Sequence, residues 1–218
     1  MEKLYEMFSA YLDDENKEKA VSLIIEAFEK AQSIETFVDI YTKILERSLN
    51  ELKCNLKDKK ICIWKEHVRS SIVRTILECA YPYIVKLRQK LFNGERHGTA
   101  VIVCPDGEYH EIGARMASDF FMLAGFDSIY VGSSTPKEEF IYAINEIRPK
   151  ILALSVTNYY NIISAKRTIA AVCAIAEVRP LIVVGGNAFV NNPDIKEIGA
   201  DRLANTYGDV EKLIQEVK

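Results

Sequence analysis

The fold of this chain is indicated most clearly by one stretch near its middle, Val101-Ile102-Val103-Cys104-Pro105-Asp106-Gly107-Glu108-Tyr109-His110-Glu111-Ile112-Gly113-Ala114-Arg115-Met116. An apolar run ends at Pro105, a short polar loop follows, and Gly113 opens a segment whose apolar residues recur at helical spacing. This order predicts a parallel strand, a loop at its carboxyl end and the start of a helix. In doubly wound sheets, ligands bind at loops of this kind.

The loop carries a carboxylate, Glu108, two residues before a histidine, His110. A histidine in such a loop can coordinate a metal through one ring nitrogen. A nearby carboxylate can accept a hydrogen bond from the other nitrogen, which fixes the tautomer. Gly113 leaves room for a bulky group against the start of the helix. The alternative is that His110 is an ordinary polar loop residue, but the surrounding pattern favours a ligand.

Outward from this stretch, the second half of the chain alternates between strand and helix patterns. Apolar runs predict strands at 99–104, 128–131, 150–156, 181–184 and 201–204, and helical spacing predicts helices at 111–124, 136–147, 162–177, 195–198 and 209–217. Pro136 and Pro193 are expected to open the second and fourth of these helices. Continuous apolar strands are typical of a parallel sheet covered by helices on both faces. We therefore expect an α/β fold with a flavodoxin-like, Rossmann-type sheet ordered 2-1-3-4-5.

That strand order places a switch point between the first and third strands, so ligands are expected over the loops after strands one, three and four. Besides the loop of Glu108 and His110, these loops contain Ser155 and Thr157, and the pair Gly185-Gly186. Each has a plain structural alternative, because the two hydroxyl residues could simply end a strand and Gly-Gly follows strands in many α/β proteins. Their occurrence together, in the expected order of loops, favours a ligand site.

The segment Gly107-Glu108-Tyr109-His110-Glu111-Ile112-Gly113 resembles the motif Asp-x-His-x-x-Gly of cobalamin-binding domains, including the methionine synthase and corrinoid protein modules. Here Glu108 stands in place of Asp, as in the cobalamin-dependent photoreceptors that regulate transcription, which this chain resembles most. The resemblance implies that adenosylcobalamin, methylcobalamin or hydroxocobalamin binds with its own base displaced from cobalt. It also implies that His110 is the lower axial cobalt ligand, that Glu108 is the hydrogen-bond partner of His110, and that Gly107 and Gly113 belong to the cofactor site.

The same resemblance assigns roles to the other loops. Ser155 and Thr157 are similar to a segment whose hydroxyl groups meet the nucleotide tail of the cofactor. Gly185-Gly186 is similar to a turn that lets the displaced benzimidazole lie against the backbone. Thr206-Tyr207-Gly208, after the fifth predicted strand, is expected to close the end of the tail groove.

Residues 1–92 show apolar residues at helical spacing and no convincing strand. Ser33 is expected to cap a helix, and Pro82 to kink or break a long final helix. Short connections predict an antiparallel bundle of four or five helices, which would form a cap domain before the sheet domain at 99–218. The linker between them contains Glu95-Arg96-His97, a second Glu-x-His sequence. No apolar strand precedes it and no helix-opening glycine follows at the right distance, so we expect a solvated connection.

Within the helical half, the single tryptophan, Trp64, lies close to Glu66 and His67. The Glu-His pair resembles one in the photoreceptor cap that covers the upper face of cobalamin, where the glutamate helps to hold the adenosyl group. The photoreceptors have a Trp-His pair upstream, but Leu56 and Lys57 occupy those positions here. The resemblance therefore implies cofactor contacts by Trp64 and Glu66, with His67 as a candidate upper cobalt ligand. The alternative is that Trp64 packs in the bundle core and that Glu66 and His67 form a solvated helix face.

The composition sets broad limits on function. Apolar residues make up 49% and charged residues 27% of the 218 residues, which is typical of a soluble globular protein. A net charge of −3 and a pI near 5.8 argue against a broad nucleic-acid-binding face. No apolar stretch is long enough to span a bilayer, and the first residues lack a signal-peptide core. The scattered cysteines predict buried thiols in a reducing cytoplasm, with no disulfide framework and no zinc site; they are Cys54, Cys62, Cys79, Cys104 and Cys173.

Three functions compete. The first is a cobalamin sensor, which Glu108 and the Glu66-His67 pair favour; it could respond to light through adenosylcobalamin and act through a homo-oligomer or a separate signalling protein. The second is a corrinoid carrier for methyl transfer, which needs a methyltransferase partner and which the usual Asp in place of Glu108 would have favoured. The third is a nucleotide-binding or flavodoxin-like protein, but no Gly-x-Gly-x-x-Gly or P-loop motif supports it. No catalytic dyad is evident, so we do not expect an enzyme by itself, nor a membrane or nucleic-acid partner.

Overall fold

The computed structural model describes residues 1–52, 59–135, 137–190 and 194–217, without the side chains of residues 59 and 137–139. The chain divides into two compact units, Met1–Leu91 and Phe92–Lys218. Some sequence-based predictions fall outside the described residues, namely those for Cys54, Leu56, Lys57, Pro136 and Pro193. No helix in the described ranges is both long enough and apolar enough to cross a bilayer.

The first unit is helical, as predicted. Its core contains buried residues from successive helices, including Phe8, Ile24, Phe37 and Ile76. The side chain of Ser33 accepts a hydrogen bond from the backbone N–H of Thr36, which confirms the predicted cap. The helices are α1 (Glu2–Asp13), α2 (Lys17–Lys30), α3 (Ile34–Ile40), a π-helical segment (Tyr41–Glu46), α4 (Arg47–Asn50) and α5 (Lys59–Phe92).

Helix α5 runs without interruption through Pro82, so the prediction that Pro82 could break it is wrong. A proline inside a helix removes one backbone hydrogen bond and costs roughly 3 kcal/mol. Leu77 and Ala80 before the proline, and Ile84 and Leu87 after it, are all buried. Packing on both sides of Pro82 therefore offsets the local cost and keeps the helix continuous.

Trp64 does not pack in the bundle core, because its side chain is 61% exposed. Its indole N–H donates a hydrogen bond to Glu15 Oε1 at 3.2 Å, in the turn between α1 and α2. Glu66 and His67 are also exposed on α5. The core alternative for Trp64 is therefore wrong, because the helix face that carries Trp64 is turned away from the apolar stripe of α5.

The prediction of uniformly buried, reduced cysteines is also wrong. Cys62 is disulfide-bonded, and Cys79 and Cys173 are free thiols at exposed helical positions. Only Cys104, at the end of the first strand, is a buried free thiol among the cysteines of the described segments. Cysteine is apolar enough to favour burial, but the direction in which its helix faces decides the outcome.

The second unit is a five-stranded parallel sheet in the order β2-β1-β3-β4-β5, which confirms the predicted topology. The strands are β1 (Thr99–Val103), β2 (Asp127–Gly132), β3 (Ile151–Ser155), β4 (Leu181–Gly185) and β5 (Arg202–Leu203). The helices are α6 (Ile112–Leu123), α7 (Lys137–Ile147), α8 (Ile162–Ile175) and α9 (Tyr207–Leu213), with 3-10 turns at Tyr159–Asn161, Asn187–Phe189 and Ile195–Ile198.

The central strands are buried and the edge strand is not. Most residues of β1, β3 and β4 are buried, whereas residues of β2 alternate between exposed and half-buried. Helix α9 begins two residues earlier than predicted, because Thr206 and Asp209 form a reciprocal capping box. The central position of β1 and β3 brings the loops that follow them together at the carboxyl edge of the sheet, as the switch-point argument requires.

Candidate functional site

A tight turn after β1 directs Glu108 into the protein. The backbone N–H of Glu108 donates to the carbonyl of Pro105 at 2.9 Å, and Gly107 has a φ of +80°. Glycine with positive φ at the third position of such a turn, with proline shortly before it, is typical of type II geometry. The Gly107 N–H donates to Ser134 Oγ at 3.2 Å, which ties the turn to the loop after β2.

The Glu108 side chain is completely buried and accepts five hydrogen bonds. Its Oε1 accepts from the backbone N–H of His110 at 3.0 Å and lies 2.6 Å from His110 Nδ1. Its Oε2 accepts from the backbone N–H groups of Thr157 and Asn158 at 3.0 and 2.9 Å, and from Asn161 Nδ2 at 3.1 Å. Burial acts to raise the pKa of Glu108, but these donors outweigh burial and hold the pKa below its usual value. Glu108 is therefore a carboxylate.

The carboxylate determines which nitrogen of His110 can bind a metal. An ionised carboxylate can only accept, so His110 Nδ1 must carry the proton in the 2.6 Å contact. The lone pair then lies on Nε2, in a side chain that is 58% exposed. A carboxylate that accepts a hydrogen bond from one ring nitrogen fixes the tautomer of a histidine that binds a metal through its other ring nitrogen. The site offers one imidazole nitrogen, which suits an axial position on a metal held by a macrocycle.

Asn161 is a site residue that the sequence analysis missed. Its Nδ2 donates to Glu108 Oε2 and also to the carbonyl oxygen of Gly107 at 3.2 Å. Ser164 Oγ adds a hydrogen bond to the carbonyl of Asp106 at 2.7 Å. The polar residues at the start of α8 therefore fix the loop after β1. The available signal was an asparagine in the loop after the third predicted strand, where the switch-point argument places ligands.

On its other side, the loop after β1 is held by Glu111 and Cys104. Tyr130 on β2 donates its hydroxyl to Glu111 Oε2 at 3.2 Å. Burial, together with the charges of Glu108 and Glu111, raises the pKa of the Cys104 thiol to about 12. Cys104 therefore stays protonated at neutral pH, and its Sγ lies 3.9 Å from the His110 carbonyl oxygen as a weak donor.

The glycines of the predicted site fall into two groups. A Cβ on Gly185 would collide with the carbonyl oxygen of Ala204, and a Cβ on Gly186, whose φ is +103°, would collide with that of Val156. The protein's own backbone therefore requires both glycines, without reference to a ligand. A Cβ on Gly113 would make only an ordinary contact, 3.8 Å from Ser155 Oγ. Gly113 is thus the glycine that the protein alone does not require.

The structure gives the remaining predicted residues contacts within the protein or leaves their roles untested. Ser155 ends β3, and Thr157 contacts Glu108 through its backbone N–H; contact of their hydroxyls with a nucleotide tail stays a prediction. Thr206 caps α9, and the nearly buried Tyr207 donates to the Leu123 carbonyl at 3.4 Å. Their expected role at the end of a tail groove is likewise a prediction, as are the roles of Trp64, Glu66 and His67 on the first unit.

A family pattern described as the B12 binding domain matches residues 98–212. The chain belongs to the B12-binding domain family. The match covers the whole sheet and both loops that hold Glu108, so cobalamin is the cofactor of this B12-binding protein.

Two curated relatives of this B12-binding protein are corrinoid proteins. Trimethylamine corrinoid protein 1 of Methanosarcina acetivorans is 27% identical over 123 residues, which is 55% of this chain and 56% of the relative. The protein of the same name from Methanosarcina mazei is 28% identical over 116 residues, 52% of each chain. This B12-binding protein therefore matches about half the length of these relatives.

Solved structures support the fold. The Methanosarcina barkeri monomethylamine corrinoid protein superposes with a TM-score of 0.80 at 19% identity, covering 100% of this chain and 99% of the other. A chain of the methanol:cobalamin methyltransferase complex MtaBC from the same organism superposes with a TM-score of 0.54 at 16% identity, covering 99% of this chain and 79% of the other. The helical region followed by the five-stranded parallel sheet is thus a known corrinoid protein architecture.

Proposed function

We propose that this B12-binding protein is a corrinoid carrier, which holds cobalamin through His110 and presents it to a separate methyltransferase. The observation that most directly supports this proposal is the pairing of an exposed imidazole with a buried, fully hydrogen-bonded carboxylate at the carboxyl edge of the sheet. The names of the curated relatives favour the carrier over the photoreceptor-like sensor, because both relatives are named trimethylamine corrinoid protein 1. Methylated amines are accordingly the first methyl sources to test.

The protein's part in this function is to bind and to orient. His110 Nε2 would hold the cobalt of the cofactor, and Glu108 holds the proton on Nδ1. Thr157, Asn158 and Asn161 keep Glu108 charged and in place. The bound cobalamin would supply the metal centre that carries the methyl group. None of these residues needs to change its covalent state, so the carrier is expected to act only together with its partner.

Ligation of cobalt by a histidine of the protein can be detected directly. Protein labelled with ¹⁵N-histidine is loaded with hydroxocobalamin, reduced to the cobalt(II) state and examined by electron paramagnetic resonance. A ligand from the protein splits the signal into doublets because ¹⁵N has spin one-half, whereas the cofactor's own ¹⁴N base gives triplets. We expect doublets in the labelled wild type. Triplets in the labelled protein would contradict His110 ligation.

A sensor is the second candidate, because Glu108 replaces the aspartate of the usual motif as it does in the photoreceptors that the sequence resembles. Two experiments separate the candidates. The carrier, reduced and mixed with a methylamine and its cognate methyltransferase, should show the absorbance change of cofactor methylation. The sensor, loaded with adenosylcobalamin and illuminated, should change its oligomeric state on a sizing column, and we expect no such change.

A further inference from the structure

Two neighbouring tyrosines stand out on the surface of the second unit. Tyr159 is 61% exposed and Tyr160 is 81% exposed, although large aromatic side chains are usually at least half-buried. Both lie in the 3-10 turn between β3 and α8, which also supplies Asn161 to Glu108. We call them the tyrosine pair. Both exposed rings therefore lie in the loop that holds the Glu108 carboxylate.

The turn beneath the tyrosine pair is rigid. The side chain of Asn158 accepts from the backbone N–H of Tyr160 at 3.1 Å, and the Asn161 N–H donates to the Asn158 carbonyl at 2.9 Å. Asn158 itself donates to Glu108 at 2.9 Å. The tyrosines therefore project from a backbone that is fixed before any ligand arrives, and an aromatic side chain in such a setting loses little conformational entropy on binding.

The two rings also support each other. Their centroids are 6.3 Å apart with planes inclined at 75°, which is an edge-to-face contact. The pair thus offers an apolar surface together with two phenol hydroxyls, and no hydrogen-bond partner for either hydroxyl is found among the described residues. Such a surface suits a partner that has both apolar edges and amide groups.

We propose that the tyrosine pair is a binding surface for the corrin ring itself, separate from the nucleotide tail. This inference rests on the proposed ligation by His110. An axial bond to Nε2 fixes the metal over the loop after β1, and the macrocycle must then extend sideways over a neighbouring loop. The loop after β3 is joined to that loop through Glu108 and Asn161. Corrin methyl groups suit the ring faces, and corrin amide side chains suit the hydroxyls.

The test compares two corrinoids that differ in the tail. Diaquacobinamide lacks the nucleotide tail, and hydroxocobalamin retains it, and both carry exchangeable water or hydroxide on cobalt. Spectral titrations are made with the wild type, with a Tyr159→Ala/Tyr160→Ala double variant and with the matching double Phe variant. Tyr142→Ala on α7 serves as the control, because Tyr142 is 80% exposed on a helix that takes no part in holding Glu108. Thermal unfolding checks that all variants fold.

We expect the double Ala variant to bind diaquacobinamide roughly tenfold more weakly than the wild type, as suits the loss of two aromatic contacts. The double Phe variant should retain most of the affinity, and Tyr142→Ala all of it. The affinity for hydroxocobalamin should fall by a smaller factor in the double Ala variant than the affinity for cobinamide, because the nucleotide tail of hydroxocobalamin binds elsewhere. In a His110→Ala background, the double Ala substitution is expected to weaken cobinamide binding by the same factor, because the tyrosine contact does not depend on the axial bond.

Three results would overturn the inference. One is equal cobinamide affinity in the double Ala variant and the wild type. Another is a wild type that binds cobalamin but no cobinamide. The third is a double Ala variant that keeps its corrinoid affinity but loses methyltransferase binding, which would assign the pair to a protein partner. If the wild type bound no corrinoid at all, the proposed function would fail first.

Discussion

The chain contains two Glu-x-His sequences, and the folded protein places them in different environments. In the linker, Glu95 is exposed, and His97 packs edge-on against Phe92 and Phe126 with ring centroids 6.0 and 5.7 Å away. After β1, Glu108 is buried and lies 2.6 Å from the ring of an exposed His110. The same spacing therefore gives an aromatic packing residue in one place and, in the other, an exposed imidazole bonded to a buried carboxylate.

The difference lies in what surrounds the glutamate. Glu108 is surrounded by donors from the loop after β3, and a buried carboxylate with several donors stays charged. Among the described residues no donor to the Glu95 carboxylate is found, and the linker enters β1 at its amino end. A Glu-x-His sequence forms a buried carboxylate–imidazole pair here only where the topology of the sheet brings a second set of donors to the glutamate.

The largest effect is expected from exchanging the two histidines for other residues. His110→Ala should abolish the protein-derived axial ligand, and the visible spectrum of the bound cobalamin should change to that of a cofactor without a histidine ligand. His97→Phe, which keeps the ring packing, should leave that spectrum unchanged. Absorption spectra of the two loaded variants provide the measurement. Equal spectra for His110→Ala and the wild type would show that His110, like His97, does not ligate the cofactor.

The next effect concerns Glu108. Replacing it by Ala leaves its buried donors without an acceptor, which should cost about 3 kcal/mol of unfolding free energy. Glu95→Ala, at the exposed linker position, should cost less than about 0.5 kcal/mol. Urea unfolding of both variants at neutral pH measures the contrast. A similarly small loss for both would show that the burial of Glu108 contributes little.

The charge of Glu108 also predicts a pH dependence. Because the folded-state pKa lies below the usual 4.5, Glu108 contributes stability above about that pH, and the contribution is lost as the pH falls through the folded-state pKa. In Glu108→Gln the decline of stability with acid should be shallower than in the wild type. Unfolding free energies measured at a series of pH values between neutral and acid test this. Parallel curves would contradict the assignment of an ionised carboxylate.

Asn161 should have an intermediate effect. Asn161→Ala removes one donor from Glu108 and should weaken cobalamin binding by roughly 10-fold, the lower end for partners of a metal ligand. Asn161→Asp places a second carboxylate beside the first and should weaken binding further. Asn145→Ala serves as the control, because Asn145 is a half-buried asparagine of α7 that bonds the Ile175 carbonyl and does not contact Glu108. Affinities come from spectral titration, and an unchanged value for Asn161→Asp would contradict the role.

Glycines give the smallest but most discriminating contrast. Gly113→Ala should stabilise the free protein by about 0.5–1 kcal/mol, because Gly113 lies in α6 and nothing crowds a Cβ there. It should nevertheless weaken cobalamin binding if the cofactor fills that space. Gly186→Ala should destabilise the free protein, because the added Cβ meets the Val156 carbonyl. Thermal unfolding with and without hydroxocobalamin separates the two, and equal changes in both variants would refute the distinction.

Much of the second unit followed from local pattern. The apolar runs that became β1, β3 and β4 are long and uninterrupted, and a sheet buried on both faces requires that pattern. The motif around His110 was visible for the same reason, since a strand, a turn glycine and a helix start follow one another directly. The continuity of α5 through Pro82 and the exposure of Trp64 were not predictable, because each depends on which helix face is covered by residues distant in sequence.

The sequence by itself determined the alternation of strands and helices and the identity of the glutamate–histidine pair, because hydrophobic periodicity and nearest-neighbour spacing are local properties. Only the tertiary structure decided that Glu108 is charged, that Asn161 holds it and that Gly185 and Gly186 are required by the protein's own backbone. Those outcomes depend on contacts between loops about 50 residues apart, Glu108 with Thr157, Asn158 and Asn161. Such contacts exist only once β1 and β3 lie side by side, since a carboxylate keeps its charge in a buried place only where donors converge on it.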